Sequence, residues 1–532
     1  MNTPLIRSLL VFLTSAVLLL TPASGQITTR VSVDSTGVEG NNYSYSPSNS
    51  ADGRYVAFES DASNLVSGDT NGQRDVFVHD RRTGQTSRVS VNSSGVQGNL
   101  YSQEPAISAD GRYVVFYSSA DNLVPNDTNG FGDIFVHDRQ SFQTTRVSVN
   151  SANVQSDGHS NGAASISADG RYVAFHSFAS NLVSSDLNGY DDVFVHDRQL
   201  GQTTLVSINS AGLQANHYSS SPSISADGRF VAFVSNADNL VAADTNAALD
   251  VFVRDRLTGA TTRSSTDSAG AQVLLSSFDG TISSDGRYVA FGSNASDLVQ
   301  GDTNSWPDVF VKDLLTNQTN RVSVDSIGGE GDQVSQYPSI SSDGRYVAFQ
   351  SSASNLVLGD TNVQADIFLH DSISGQTTRV SVDSAGMQGN SSSVDPVISS
   401  DGLSVAFRSN AANLVPGDTN MVTDIIVRDP GSAIFHLTAT GTCPGLMTLT
   451  ISYATANRNV ALVYGPSGNF VKSTTPCQGL VLEIAQPRLG AYVAANASGT
   501  AVLSFYAPPG VCGLTVQAVD VPTCTATNVI VL

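Results

Sequence analysis

No cysteine occurs before Cys443 in this chain of 532 residues. Disulfide staples and thiolate chemistry are therefore excluded from the first four-fifths of the molecule. The four cysteines present, Cys443, Cys477, Cys512 and Cys524, all fall near the C-terminus. An even set confined to one short segment of an exported chain predicts two disulfides, with three pairings open. A Cys-x-x-Cys spacing is lacking and His436 is the only nearby histidine, which argues against zinc. Basic residues are scarce as well, 26 against 47 acidic ones, for a formal charge of −21. Glu483 and Asp520 are the only acids after residue 429, so the excess lies in the body of the chain. Such a surface disfavours nucleic acid and anionic membranes and suits solubility, cations or basic partners.

Long apolar runs are missing except between Leu9 and Leu20, which is short of the roughly 20 residues a spanning helix needs. Arg7 precedes that run and Ala23 and Gly25 follow it, the pattern of a signal peptide over 1–25 cleaved before Gln26. No cysteine stands after the run to carry a lipid. The expectation is a secreted or periplasmic monomer with no membrane span after cleavage. A Gly-x-Ser-x-Gly elbow, a His-Glu-x-x-His helix and a phosphate loop are all absent. No catalytic residue is named on sequence grounds, and a non-enzymatic role is favoured.

What the chain does have is repetition. Asp-Gly pairs at Asp52, Asp110, Asp169, Asp227, Asp285, Asp343 and Asp401 follow one another at intervals of 58 residues, once 59. Each unit carries Tyr-Val-Ala-Phe (Tyr55–Phe58), Asp-Val-Phe-Val-His-Asp (Asp75–Asp80) and Arg-Val-Ser-Val (Arg88–Val91) or close variants. Continuous apolar runs bounded by turn residues predict strands covered on both faces. Four strands per unit are expected, the outermost over Arg88–Val91, with a tight turn at Asp52-Gly53. Seven such units predict an all-β, seven-bladed β-propeller over 26–429. Thr28–Val33 stands alone before the first unit, and the seventh unit ends at Asp429 without its outer strand. The N-terminal strand is expected to complete blade seven, with Arg30–Val33 beside Ile425–Val427. Residues 430–532 change style into six short strands and predict a small disulfide-containing β-sandwich.

The unit Pro105–Phe116, followed by Asp133–Asp138, resembles the TolB-type, WD-repeat-like propeller unit of bacterial exported proteins, over about residues 27 to 429. The resemblance implies the fold and carries no catalytic residues. TolB also has an α/β domain ahead of its propeller, for which this chain leaves no room, so its role at the cell envelope is not carried over.

Three groups of residues are candidates for chemistry. The loop between the second and third strands holds Asp-x-Asn-x-x-x-Asp in every unit, including Asp69/Asn71/Asp75, Asp127/Asn129/Asp133 and Asp186/Asn188/Asp192. These oxygens predict either Asx turns or a calcium site, the latter partly resembling the longer calcium loop of integrin-type propellers. Turns are preferred, since three oxygens fall short of the roughly six to eight that calcium takes. His79, His137, His196 and His370 share one repeat position, filled elsewhere by Arg254, Lys312 and Arg428, and are expected at the surface of strand ends. Arg54 and its equivalents are expected to clasp the aspartate ending the third strand, as Arg54 with Asp80.

The repeats differ most in the segments linking blades. Tyr43, Tyr45, Tyr101, Glu104, His159, His217, Tyr218 and Tyr337, with Trp306 from a neighbouring loop, are the expected ligand-binding set. Phe278, Asp279 and Asp395 belong to the same variable segments, and the off-repeat His176, with His159 and His217, is expected as a ligand contact. Aromatics beside carboxylates suit a glycan or protein partner. The function expected is recognition or scaffolding outside the cytoplasm; the alternatives are a polysaccharide lyase or hydrolase on the propeller face and a calcium-stabilised adhesion module.

Overall fold

The apolar runs form strands buried along nearly their whole length: Tyr55–Ser60 and Asp75–Asp80 keep almost no exposed side chain. A strand buried on both faces needs a sheet on each side, and the repeat supplies one. The computed structural model describes residues 26–429 and, beyond them, the backbone of ten strands between 436 and 531. In blade one, Ser44–Asn49, Tyr55–Ser60, Asp75–Asp80 and Gln85–Arg88 pair in that order as an antiparallel sheet. Five further blades repeat it. The inner strands stand side by side around a ring that closes between the first and seventh blades.

The N-terminal strand, Ile27–Arg30, completes blade seven. Its ladder runs from Ile27 opposite Asp429 to Arg30 opposite Ile426. Closure is as expected, but the strand lies three residues earlier than Arg30–Val33. The outer strand of blade one is likewise Gln85–Arg88 and not Arg88–Val91. One cause explains both shifts. After the arginine the chain turns inward, because Ser90 donates its hydroxyl to the buried Asp75 carboxylate at 2.5 Å, as Ser32 does to Asp424. A short hairpin follows, closed by the bridges Val33–Glu39 and Val91–Gln97.

The core lies between blades. Phe116 and Phe135 stack at 6.1 Å and pack with Ala57, Val76 and Val78 of blade one. Each hairpin is then pinned to the next blade's outer strand: Thr86 donates its hydroxyl to the Val33 carbonyl at 2.5 Å, and Thr144 does so to Val91. At the seam Thr28 donates to the Val382 carbonyl at 2.6 Å, so the ring closes with the same bond.

The four histidines correct an expectation. His79, His137, His196 and His370 are buried, and each pairs Nδ1 with the pinning threonine at 2.9 Å. They sit at strand ends, but the preceding hairpin is pinned over them. Where the histidine is replaced, a buried cation reaches further: Lys312 donates to the Asp267 and Asn317 carbonyls, and Arg428 to Thr28 and the Asp383 carbonyl.

The clasp at the same strand end is present in six blades. Arg54 Nε and Nη2 meet Asp80 Oδ1 and Oδ2 at 2.9 and 2.7 Å, a bidentate pair. It holds the Asp80 carboxyl well below the usual carboxylate range. In blade seven Leu403 stands in the arginine's place, and Asp429 is taken instead by Arg81 of blade one at 2.6 Å and by Ser404.

Each of the six segments read as strands after residue 429 overlaps a described strand, and four more strands accompany them: His436–Gly441, Ser467–Val471, Arg488–Ala494 and Thr525–Ala526. They form sheets of three, five and two strands. The four cysteines, and with them the expected disulfides, lie outside the described residues, as does the segment read as a signal peptide. No helix among the described residues is long and apolar enough to cross a membrane.

Candidate functional site

Two regions hold most of the buried charge. The first is the Asp-x-Asn-x-x-x-Asp loop. Asn71 Oδ1 accepts the Gln73 N–H at 3.0 Å, an Asx turn, and its Nδ2 donates to Asp75 and to the Gly98 carbonyl of the following hairpin. Asn129 accepts the Phe131 N–H at 3.1 Å and donates to Asp133 and the Ser156 carbonyl. Asn188 accepts the Tyr190 N–H at 2.8 Å and donates to Asp192 and the Ala215 carbonyl. The asparagines of the other four blades make the same turn. In Asn71, Asn129 and Asn188 alike the amide oxygen accepts a backbone N–H of its own loop, the geometry of the turn alternative.

The aspartates of the same loops serve a different end. Arg88, the last residue of the outer strand, places Nη1 3.2 Å from Asp69 and 3.1 Å from Asp75. Arg146 does the same for Asp127 and Asp133, and Arg30 for Asp418 and Asp424 across the seam. Six blades thus hold a guanidinium where a cation would sit. Blade three has Leu205 there, and Gln214 bridges Asp186 and Asp192 at 2.8 and 2.7 Å. Burial pushes the Asp192 carboxyl up to about 6.

The second region is the inner ring. In every blade the inner strand loses register with its neighbour partway along, as between Tyr45 and Ser48. The residue at the break lies in the left-handed region: Ser46, Glu104, Gly162, Ser221, Asp279, Tyr337 and Asp395, with φ from +48° to +68°. These are β-bulges, which re-aim a side chain out of the ladder, and non-glycine residues hold that conformation at a cost of order 1 kcal/mol or more. Identity at the bulge differs between blades, as it does opposite, where Glu59, Tyr117, His176, Val234, Gly292, Gln350 and Arg408 share one position of the second strand.

These positions are linked around the ring. The half-buried Asp279 carboxyl, raised to about 6 by burial, accepts the Tyr337 N–H. Asp395 pairs with Arg408 Nε at 2.6 Å, and Arg408 and Arg74 lie 5.7 and 4.4 Å from the Tyr45 ring centre. Arg74 reaches Glu59 at 3.1 Å and Asp61 at 2.9 Å. Glu59 accepts the Glu104 N–H at 2.5 Å, and burial raises both carboxyls. Glu104 and His176 then meet over Gly162, where an added Cβ would fall 2.5 Å from His176 Cε1 and 3.6 Å from Glu104 Oε2.

Of the residues expected from sequence, Tyr45, Glu104 and Tyr337 join this network. Tyr43 stacks on Tyr45 at 6.1 Å, and Tyr101 lies 5.9 Å from Tyr117. His159 packs edge-on to Phe131 at 4.8 Å, and His217 sits between Tyr190 at 4.6 Å and Tyr218 at 5.0 Å. Trp306 is exposed in its own loop, its N–H held by Asn304. Sequence reasoning missed Glu59, Arg74, Tyr117 and Arg408. A usable signal was there: one position changing from Glu to Tyr, His, Val, Gly, Gln and Arg inside an otherwise fixed strand.

No protein-family model and no curated protein sequence matches the chain. Among solved structures, an oligogalacturonate lyase from Vibrio parahaemolyticus is 14% identical, at a TM-score of 0.45, covering 76% of this chain and 91% of that one. TolB from Acinetobacter baumannii is 17% identical at 0.34, covering 57% and 59%. A Pyrococcus horikoshii acylaminoacyl peptidase is 11% identical at 0.44, covering 77% and 58%. The seven-bladed fold rests on this chain's own strand ladder, and no activity is carried over from these proteins.

Proposed function

We propose that the chain is an exported recognition or scaffold protein that binds an envelope or extracellular protein or glycan through the inner ring of its propeller. One observation carries the reading. The joints between blades repeat almost unchanged, whereas the bulge and the position facing it carry a different side chain in nearly every blade. The bulge recurs in every blade but presents unlike polar and aromatic groups, and ligand sites are where such strain persists. The run Leu9–Leu20 and the cysteine set support export.

The test is capture from envelope extracts with the mature chain, compared with Arg408→Ala and Tyr45→Ala. Retention of a partner that both variants lose supports the reading. Retention unchanged in both overturns the site. Cleavage of pectic or cell-wall polysaccharide by the purified protein favours the enzymatic alternative.

A further inference from the structure

Among the described residues, buried side-chain atoms lacking a hydrogen-bond partner fall into two sets, a few scattered singletons aside. One recurs at the Arg–Asp joint of several blades. The other does not recur: Glu104 Oε2, His176 Nδ1, Asp191 Oδ1 and His217 Nδ1 all belong to blades two to four. A buried polar atom without a partner costs about 1–3 kcal/mol, so this sector holds groups whose partner is not the protein itself.

Glu104 and His176 flank Gly162, and Asp191 lies near enough to His176 to act on its charge. Blade three carries the one extra residue of the repeat series, in its inner strand, and has glycine at the bulge with φ +68°. Any larger residue at 162 would collide with the His176 ring. The glycine therefore lets the largely buried imidazole lie beside the Glu104 carboxylate of blade two, with no hydrogen bond between them. Asp191 precedes the third strand, at the position where blade one places Arg74. In blade one that arginine neutralises Glu59. Here the equivalent cation has become a carboxylate, and no arginine or lysine among the described ion pairs answers Glu104 or Asp191.

Burial lowers the His176 imidazole and so favours its uncharged form, while Glu104 Oε2, His176 Nδ1 and Asp191 Oδ1 are left without a hydrogen-bond partner. They do not converge within 4.8 Å of one another, unlike the two carboxylate trios that do so elsewhere in the propeller. A bare ion cannot touch all three, whereas a nitrogen group with several N–H donors can. Tyr101, exposed beside Tyr117 in the same blade as Glu104, is an aromatic surface of the kind the alkyl stem of such a group packs against.

We infer that Glu104, His176 and Asp191 form a receptor for the guanidinium or ammonium side chain of a basic peptide. This rests on the recognition reading above and names the chemistry of the partner.

Calorimetry on the mature chain tests it with four probes: acetyl-Gly-Arg-Gly-amide, acetyl-Gly-Lys-Gly-amide, spermidine and manganese chloride. Saturable binding of either peptide is expected, weakened about tenfold or more in Glu104→Gln and in His176→Phe, the loss of one charge-assisted bond. Unchanged melting temperatures in both variants keep the comparison interpretable. Peptide binding indifferent to both variants, or no peptide binding, overturns the receptor. Spermidine binding without peptide binding overturns the peptide as source, and manganese binding that Glu104→Gln abolishes overturns the nitrogen ligand. A partner captured from extracts and lost in Arg408→Ala but not in Glu104→Gln leaves the recognition reading standing and removes this one.

Discussion

The wall between blades and the ring at their centre are built from the same kinds of residue and obey opposite rules. In the wall, Asp75 is met by Arg88 and Ser90, and six blades set an arginine against the same aspartate. In the ring, Glu104 and Asp279 are half-buried beside groups that differ from blade to blade, and their carboxyls are pushed up with no matched arginine. Repetition, with a cation or an amide set against the paired aspartates of every blade, is what a joint needs. Variation with charges left open is what a binding surface needs.

The sharpest way to break that contrast is to remove one wall cation. Arg146→Met leaves Asp127 and Asp133 buried without a positive partner and is expected to lower stability by about 3 kcal/mol or more by denaturant unfolding. Glu104→Gln in the ring is expected to cost less than about 1 kcal/mol, or to stabilise. Equal losses would show that the ring is as structural as the wall.

Next in size is an acid effect confined to the wall. Burial holds His137 at about 4 when folded, below its unfolded value near 6.5. The unfolded chain therefore binds the proton first, and stability present above pH 6.5 is lost as the pH falls toward 4. His137→Gln should lessen the drop in stability between about pH 7 and pH 4.5 by about 2 kcal/mol relative to the wild type. No difference between the two pH profiles would mean that the imidazole is not desolvated.

A smaller effect is expected at the seam. Thr28→Val removes the hydroxyl shared by the Val382 carbonyl and Arg428 and should cost about 1–2 kcal/mol in a thermal or chemical melt. Thr144→Val, the equivalent bond between blades one and two, should cost about the same if the seam is an ordinary joint. The smallest effect concerns calcium. Because guanidinium groups fill six of the seven aspartate loops, millimolar calcium is expected to leave the melting temperature unchanged. Calorimetry showing several calcium sites per chain would mean that the arginines do not hold those aspartates in solution.

The fold was legible because its signals are local and repeated. Asp52-Gly53 marks a turn, Tyr55–Phe58 reads as a strand covered on both faces, and the unpaired Thr28–Val33 points to ring closure. Arg54 with Asp80 was legible too, since both residues recur together and the lone Leu403 falls where the pattern ends. The turns at Asn71, Asn129 and Asn188 could be read as well, because an Asx turn closes within three residues. What escaped were partners set by tertiary approach. Nothing in the spacing of Asp69 and Asp75 says that Arg88 returns to them from the outer strand. His79 looks like a strand-end surface residue until the hairpin of another blade covers it. In the ring, Tyr45, Glu104 and Tyr337 were recognisable by their variability, whereas Glu59 and Arg408 sit inside a strand whose other residues are core, and that context hid them.

The glycine of each Asp-Gly turn also governs how blades mate. A Cβ at Gly111 would fall 2.1 Å from the Tyr55 ring of the preceding blade, and Gly170 meets Tyr113 in the same way. Arg139 and Arg54 close over the Tyr55 ring, each 4.5 Å from its centre. Every blade therefore presents a plug to one neighbour and a socket to the other, and a gene segment of one unit carries both halves with it. Duplication of a unit inserts without a mismatch. Only where the last unit meets the first does the key change: Gly53 rests on Ser404, and Arg81 turns to Asp429. The lineage could lengthen its chain by copying any interior blade, while the altered pair marks which two ends must find each other, within one molecule, for the ring to shut.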